Sequence, residues 1–412
     1  MYDVTIIGAG ASGVMCALAL KEKDKNLKVL LLEKNDKLGK KLSITGNGHC
    51  NLGNINTDIS NYNSLSSLSD FKEKLEIKNF DFLSFLDNSC SLKNYYDYLM
   101  HFGVLITNEK GCLYPYSMQA ISVCKSFERC LDYLNVDIKY NYDVFKVTKE
   151  NECFMVNDEI ISKKVVVATG GKSYPKTGST GKGYNILKSF GHTVTDLYPS
   201  LTQLKTNYKY IKDLQGVRTN AVVNLSVDGL IKSQEEGQVQ FTKEALSGIC
   251  IFNLSRNVGK YIKENKKVKI IIDLIPNYDQ FGLVEYLKSF SSYSIVDALS
   301  CVINNKLSFV ISKELGFVNK KMEDLTKVQL ENVCFALKNM CFNITGTGDF
   351  ETAQVTNGGA SLDEFDCNLQ SIKCKDLYAI GEVIDVDGKC GGYNLSWAFT
   401  SAIIVSDGIL KK

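Results

Sequence analysis

The chain has 412 residues, of which 48 are basic and 46 acidic, and 44% are hydrophobic. A chain longer than roughly 250–300 residues exceeds the size of one hydrophobic core, so we expect more than one domain. The net charge of +2 includes no long run of like charges, and no apolar stretch reaches the roughly 18–20 residues that span a bilayer. We therefore expect neither nucleic-acid binding nor membrane insertion. Because a strand-like segment follows Met1 with no signal peptide, we expect a cytoplasmic protein.

The cysteines and histidines form no recognisable metal-binding pattern. The fourteen cysteines are scattered without a C-x-x-C pair, which favours small buried hydrophobic side chains over a zinc site or a redox disulfide. The three histidines, His49, His101 and His192, lie far apart in the sequence. The sequence therefore predicts no bound metal.

The N-terminal segment has the pattern of a βαβ unit. Residues 4–7 form an apolar run, a glycine turn follows, residues 13–23 have a helical pattern, and residues 27–32 form a second apolar run. Near-continuous apolar strands indicate burial on both faces, as in a parallel sheet covered by helices. A helical pattern follows at residues 71–102 and another buried strand at residues 165–168. The pattern predicts an α/β fold of the Rossmann type.

The pattern changes after about Pro199. Residues 221–227 and 268–274 alternate as strands of a partly exposed antiparallel sheet do, and residues 279–338 have an amphipathic helical pattern. A buried strand returns at residues 377–380, before a last helix. The simplest topology inserts a β-rich domain into a dinucleotide-binding domain that both ends of the chain build. The predicted domains are 1–195 (first part of the dinucleotide-binding domain), 196–350 (inserted β-barrel-like substrate domain with a helical subdomain at about 279–338) and 351–412 (last part).

Residues 8–13 spell G-x-G-x-x-G between the first strand and the first helix, and Glu33 ends the second strand. The first glycine makes a tight turn, the second lets the backbone approach a pyrophosphate, and the third lets helix and strand pack closely. The helix N-terminus offers free N–H groups to phosphates, and Glu33 can accept hydrogen bonds from ribose hydroxyls. This combination predicts a bound dinucleotide.

Three later segments favour FAD over NAD. Residues 169–171 end a buried strand in small residues, and residues 381–382 repeat this strand-then-glycine pattern, with Asp385 close behind. Residues 391–394 open the last helix, whose N-terminal dipole can stabilise the negative charge that a reduced flavin gathers. We therefore predict one non-covalently bound FAD.

At these segments the chain resembles a known family over nearly its whole length, the BaiN-like or aminoacetone-oxidase-like NAD(P)/FAD-dependent oxidoreductases of bacteria. The resemblance implies a discontinuous FAD domain of the two-dinucleotide-binding flavoprotein kind, an inserted barrel-like domain and a small helical cap. The matching segments are residues 32–51, 168–171 with 177–181, 241–242 with 246–248, and 381–388 with 391–394.

The motifs and the resemblance together predict which residues contact FAD. The predicted contacts are Gly8, Ala9, Gly10, Ala11, Ser12, Gly13, Glu33, Lys34, Lys41, Gly46, Asn47, Cys50, Asn51, Val144, Thr169, Gly170, Gly171, Gly381, Glu382, Asp385, Gly392, Tyr393 and Asn394.

The candidates for catalysis are His49, Tyr174 and Tyr393. Tyrosine can supply a proton to a carbanion or enolate that flavin hydride transfer forms. His49 stands where the family usually has an arginine, which weakens any expectation of a guanidinium contact, and a pocket-lining role is favoured over catalysis. For Cys50, packing is favoured over a charge-transfer thiol because no second cysteine lies near it in sequence.

The leading functional hypothesis is NAD(P)H-linked reduction of a conjugated ketone or alkene in a small-molecule substrate, similar to 3-dehydro-bile-acid reduction. No second G-x-G-x-x-G follows a strand, so NAD(P)H would bind transiently at the flavin, which leaves an aminoacetone-type oxidase that releases hydrogen peroxide as an alternative. An FAD-dependent RNA-modifying or RNA-binding protein is a further alternative that the near-neutral charge disfavours. Arg218 is a candidate anchor for an anionic substrate, although an exposed surface position without such a role is favoured. The sequence does not indicate the oligomeric state.

Overall fold

The computed structural model describes residues 1–64, 92 and 94–411. The chain forms two compact units, one made of Met1–Tyr198 and Val355–Lys412 and the other of Pro199–Gln354. The inserted domain predicted at residues 196–350 differs from the second unit by a few residues at each end. Most of the helical pattern predicted over residues 71–102 lies outside the described residues.

The strands vary in length from two to twelve residues, and the two longest, β13 (Arg218–Val227) and β14 (Leu230–Phe241), belong to the second unit. Along the described residues they are β1 Tyr2–Ile7, β2 Val29–Leu32, β3 Gly53–Asn54, β4 Tyr62–Asn63, β5 Ile106–Glu109, β6 Cys112–Pro115, β7 Asp137–Lys139, β8 Val147–Glu150, β9 Cys153–Val156, β10 Ile160–Val167, β11 Tyr198–Ser200, β12 Leu204–Thr206, β13 Arg218–Val227, β14 Leu230–Phe241, β15 Ala245–Ser247, β16 Val268–Asp273, β17 Met340–Thr347, β18 Val355–Asn357, β19 Leu377–Ala379 and β20 Asp387–Gly388.

The α-helices lie between and after these strands. In the described part of the chain they are α1 Ala11–Lys23, α2 Tyr95–His101, α3 Ala120–Tyr133, α4 Lys182–Ser189, α5 Ile249–Leu254, α6 Val258–Lys263, α7 Gln280–Lys288, α8 Ile295–Ser300, α9 Asn305–Glu314, α10 Lys327–Lys338 and α11 Tyr393–Leu410. None of them is both long and apolar enough to cross a membrane.

The first unit is built on a sheet with the strand order β7-β2-β1-β10-β9-β8, in which β19 also pairs with β10. Strands β7, β2, β1, β10 and β19 run parallel to one another. Strand β9 runs antiparallel to both of its neighbours, β10 and β8. All four residues of β2 and the last three of β10 are buried, as the apolar runs predict. Helix α1 packs against the C-terminal helix α11. The predicted Rossmann-type α/β fold is confirmed.

The second unit contains a closed barrel with the strand order β12-β15-β14-β13-β16-β17. Its strands alternate between buried and exposed residues, most regularly in β17, so one face of each strand points to the core. Helices α7 to α10 lie within the range 279–338 where the sequence predicts helices. The additional β-rich region is therefore confirmed.

We expect the barrel core to depend on Phe342, which is 0% exposed and packs against Tyr208 and Phe241 with ring centroids at 4.7 and 5.8 Å. Phe342→Ala should lower the free energy of unfolding by about 3–5 kcal/mol, because it leaves a cavity. The matched control, Phe335→Ala, removes a ring that is 56% exposed and should change it by less than about 0.5 kcal/mol. Urea unfolding curves of both variants check this, and equal losses would contradict the assignment of the core.

Candidate active site

The G-x-G-x-x-G segment forms a turn that only glycine allows at two positions. Gly8 has φ +109°, and a Cβ there would lie 2.5 Å from the carbonyl oxygen of Ala168 at the end of β10. A Cβ on Gly13 would lie 1.8 Å from the carbonyl oxygen of Gly8. The missing side chains therefore let α1 start directly against β1 and β10, as the sequence pattern indicates.

Gly10 is different, because it faces open space. A Cβ on Gly10 would meet no described atom within 4 Å outside its own helix and chain neighbours. The first N–H groups of α1 have no acceptor within the helix and point to the same end. This end of α1 can therefore receive an anionic group such as a pyrophosphate.

Glu33 is buried beside this turn, just after β2. Its Oε2 accepts a hydrogen bond from the Ala9 N–H at 2.9 Å, and its Oε1 accepts one from the Asn35 N–H at 2.8 Å. These two bonds fix the carboxylate next to the turn. Oε1 also accepts a hydrogen bond from the Asn35 side-chain amide at 2.6 Å, so Oε2 is the oxygen that keeps a lone pair with which to accept a hydroxyl hydrogen.

The last third of the chain returns to the same place at Gly381, which follows β19. A Cβ on Gly381, which has φ +70°, would lie 2.8 Å from Ser12 Oγ in α1. Its N–H donates to Ser401 Oγ at 2.9 Å, and Trp397 Nε1 donates to its carbonyl oxygen at 3.1 Å. Helix α11 therefore holds this loop against the N-terminus of α1, with Trp397 buried between them.

Lys41 and Glu382 form an ion pair in the same region, with Nζ and Oε2 at 2.8 Å. Ser173 Oγ accepts a hydrogen bond from Lys41 at 2.7 Å and donates one to Glu382 at 3.0 Å, and the Thr356 N–H donates to Glu382 at 2.8 Å. Burial alone would raise the pKa of Glu382, but Lys41 and these hydrogen bonds outweigh it and lower the pKa. The carboxylate is therefore ionised at neutral pH and ties three loops together.

A second group of predicted residues surrounds the N-terminus of α11. A Cβ on Gly392 would lie 2.5 Å from both Asn51 Oδ1 and the Gly53 carbonyl oxygen. The Asn394 side chain accepts from the Gly388 N–H at 2.8 Å and donates to the Gly388 carbonyl at 2.9 Å. The side chain of Asn394 thus closes its own loop, and the main-chain N–H groups of this helix end are the ones directed outward.

The three candidate catalytic residues occupy different surroundings. His49 is exposed, and its Nδ1 lies 2.9 Å from the Met118 carbonyl oxygen, which makes Nδ1 the donor. Tyr174 is 40% exposed and has an unusual φ of +55°, whereas Tyr393 is buried and packs edge-to-face on Tyr62.

Cys50 is buried in the left-handed loop that precedes β3. Burial raises the pKa of its thiol to about 12. The thiol therefore stays protonated at neutral pH, which suits packing and not a charge-transfer thiolate.

The remaining predicted contacts lie on several elements of the first unit. Lys34 Nζ donates to Thr180 Oγ1 at 3.1 Å, and burial lowers its pKa. Asn47 is exposed with φ +54°, whereas Val144 and Asp385 are buried.

The candidate substrate anchor Arg218 is exposed at the start of β13 in the second unit.

Two buried hydroxyl groups test whether this region suits a polar cofactor. Thr169 Oγ1 and Tyr184 Oη have no hydrogen-bond partner in the described part of the protein. Burial raises the pKa of Tyr184 well above its ordinary value, so its hydroxyl stays a donor. Buried polar groups normally have partners, and the hydroxyls and phosphates of a dinucleotide would provide them. The residues present therefore fit FAD.

The sequence pattern missed Tyr184, Ser173 and Thr356. Ser173 carries no local motif, because its partners Lys41 and Glu382 lie far away in the sequence, and no local motif marks Tyr184 either. Thr356 precedes a glycine pair in which a Cβ on Gly359 would lie 2.7 Å from the Asp385 N–H nitrogen. That glycine pair is the signal that could have found this loop.

Among the described residues, no group of three or more His, Cys, Asp or Glu side chains could hold a metal ion.

The fold and the glycine-lined end of α1 define a Rossmann-type flavoprotein of the oxidoreductase class. The model of the HI0933-like protein Rossmann domain matches residues 2–408, and the chain belongs to this family. The chain is 30% identical to the 3-dehydro-bile acid delta(4,6)-reductase of Clostridium scindens over 98% of both chains. It is 27% identical to the ribosomal RNA dihydrouridine synthase of Haemophilus influenzae over 96% of both. The structure of 3-ketosteroid delta1-dehydrogenase from Sterolibacterium denitrificans is 12% identical over 99% of both chains, with a TM-score of 0.47.

We predict that Gly10→Val abolishes FAD binding without unfolding the protein. A Cβ at this position meets no described atom outside its own helix and chain neighbours, so we expect the free energy of unfolding of the apoprotein to change by less than about 1 kcal/mol. The same side chain would occupy the position that the pyrophosphate needs. Flavin absorbance of the purified protein and urea unfolding of the apoprotein check the two parts. In contrast, Gly13→Ala should destabilise the apoprotein itself, because its Cβ clashes with Gly8. A flavin-replete Gly10→Val protein would contradict the assignment.

We predict that Lys41→Met destabilises the apoprotein by on the order of 3 kcal/mol at pH 7, because Glu382 keeps a poorly solvated charge without its partner. The folded-state pKa of Glu382 lies below the ordinary value of 4.5. The pair therefore stabilises fully above that value and loses its effect as the pH falls through the folded-state pKa.

Urea unfolding at pH 7 and at about pH 4 tests this pair, where pH 4 is close to the ordinary carboxyl pKa. The deficit of Lys41→Met should shrink at the lower pH, and adding Glu382→Gln to Lys41→Met should recover part of it at pH 7. A deficit that is the same at both pH values would show that the Lys41 stem, and not the ion pair, stabilises the fold.

Proposed function

We propose that the protein is an FAD-dependent enzyme that uses NAD(P)H to reduce a carbon–carbon double bond conjugated to a carbonyl group. The observation that carries this proposal is the chemistry shared by the two relatives. A delta(4,6)-reductase of a 3-oxo steroid and a dihydrouridine synthase both saturate a C=C bond that is conjugated to a carbonyl. Both relatives match this chain over nearly its whole length.

The residues that would hold FAD follow from the site geometry. Residues 8–13 would take the pyrophosphate, Glu33 the ribose hydroxyls, and the loop at Thr169 together with Tyr184 further polar groups of the cofactor. The N-terminus of α11 would lie against the flavin ring, where its dipole favours negative charge. FAD, when bound, supplies a hydride for the β-carbon of the conjugated system.

The protein must then supply a proton for the other carbon. We propose His49 and Tyr393 for this role, since His49 lies in the loop before β3 and Tyr393 begins α11, which packs against β3. The Met118 carbonyl holds His49 by Nδ1, which leaves Nε2 as the exchanging nitrogen. Tyr393 is the first residue of α11, so its position is fixed by the helix.

Two classes of substrate fit this chemistry. The C. scindens relative favours a small dienone, and the H. influenzae relative favours the uracil ring of uridine in ribosomal RNA. The near-neutral charge of +2 and the higher identity to the first relative support the small molecule. Oxidation of an amine with release of hydrogen peroxide is the alternative, which neither of these two relatives supports.

We expect NADH or NADPH to bleach the flavin of the anaerobic protein, and a conjugated 3-oxo-4,6-diene steroid to restore its colour faster than air does. The matching saturated 3-oxo steroid is the control and should leave the flavin reduced, because it has no double bond to accept hydride. Stopped-flow absorbance follows both half-reactions.

The same experiment separates the alternatives. Reoxidation by a uridine-containing ribosomal RNA transcript, but not by the dienone, would assign the RNA substrate. No bleaching by either nucleotide, together with peroxide release from aminoacetone in air, would replace the reductase with an oxidase.

A further inference from the structure

A cavity of about 280 Å³ lies between α3 and the hairpin of β5 and β6, away from the glycine turn. Its apolar part is made by Val104, Pro115 and Val123. Its polar rim is made mainly by Tyr116, Lys125 and Arg129, together with serine side chains. The cavity thus combines an apolar floor with two cationic groups and an aromatic ring that is 69% exposed.

The two cations on this rim are available to a ligand. Lys125 and Arg129 are four residues apart on α3 and therefore project from the same face of the helix. Neither makes an ion pair with any residue that the structure describes.

The serine hydroxyls of the rim are already used. Ser126 donates to the Phe102 carbonyl oxygen at 2.5 Å, Ser122 donates to the Gln119 carbonyl oxygen at 2.7 Å, and Ser117 bonds to Ser122 at 2.5 Å. A ligand of this cavity would therefore be selected by charge and not by a hydroxyl network.

We propose that this cavity binds the 2′-phosphoadenosine end of NADPH, so that the protein prefers NADPH to NADH. This inference rests on the proposed function, which needs a transient nicotinamide dinucleotide. A guanidinium and an ammonium four residues apart suit a phosphomonoester dianion, because arginine binds its oxygens in pairs. The adenine ring would lie on the apolar floor beside Tyr116. NADH has no phosphate at this position and gains nothing from the two cations.

Strand β6 connects this cavity to the flavin side of the first unit. At its start, Cys112 Sγ lies 3.9 Å from the Gly391 carbonyl oxygen at the N-terminus of α11, and the Asn54 amide donates to the same oxygen at 3.1 Å. Four residues further along the chain, Tyr116 forms the cavity rim. An extended segment of this length spans roughly 13 Å, which an extended dinucleotide can bridge.

The test uses the holoprotein and the variants Lys125→Ala, Arg129→Ala and both together. Adenosine 2′,5′-bisphosphate is the probe for binding by calorimetry, with 5′-AMP as the comparison, and flavin reduction by NADPH and by NADH is followed by stopped flow. We expect each single variant to weaken the bisphosphate and NADPH by about 10-fold or more, as the loss of a charged hydrogen bond does, and to leave NADH within about 3-fold. The control Lys188→Ala removes an exposed charge from α4 and should change neither nucleotide.

The outcomes separate this inference from the proposed function. Unchanged bisphosphate affinity in the double variant would overturn the inference, as would a wild-type protein that NADH reduces but that does not bind the bisphosphate. If neither nucleotide reduces the wild-type flavin while the double variant loses bisphosphate binding, the site stands and the reductase proposal fails.

Discussion

The close approach of three backbone turns at the carboxyl edge of the parallel sheet controls the geometry of the first unit. Residues 8–13, the loop after β10 and the loop after β19 come from distant parts of the sequence, yet each contacts the next at distances that leave no room for a Cβ. In a parallel sheet the carboxyl ends of neighbouring strands meet at one edge, so three strand-then-glycine patterns must converge. This convergence creates a site lined by main-chain N–H groups, which suit phosphates and carry no side-chain entropy cost.

Such a site leaves charged and polar groups partly out of water, and the structure pairs most of them. Lys41 and Glu382 neutralise each other, and Ser173 bridges them. Among the described residues six buried hydroxyl groups have no partner, and two of them, Thr169 and Tyr184, lie in the region assigned to the cofactor. A binding site keeps unpaired groups where a ligand completes them, whereas a structural network pairs all of its own members. Lys41 and Glu382 therefore contribute to the shape of the site, and Thr169 and Tyr184 offer the hydroxyls that a bound cofactor would pair.

The sequence predicts the fold well and the site less completely, for physical reasons. Strands β1, β2 and β10 are apolar runs because both faces are buried, and such runs are visible locally. The glycine turn is visible because only glycine fits its backbone. Ser173 could not be found in this way, because its partners Lys41 and Glu382 lie far away in the sequence, and Tyr184 could not, because nothing in its local sequence marks a buried hydroxyl without a partner. The pairing of Asn394 with Gly388 could not be found either, because side-chain direction depends on a loop that no periodicity describes.

A steroid dienone and a uracil ring undergo the same type of reduction, although the two substrates differ greatly in size. In both, hydride adds to one end of a conjugated C=C–C=O system and a proton to the other, so the same cofactor site and the same type of proton donor serve both. Discrimination must then come from residues that contact the rest of the substrate, and a nucleic acid would need several cations on one surface to contact its phosphates. The barrel of the second unit has an apolar core, and its long hairpin of β13 and β14 carries both signs of charge at Lys232, Glu235 and Glu236. A mixed surface of this kind gives little attraction for a polyanion, which is the physical reason to prefer a small conjugated ketone over RNA as the substrate.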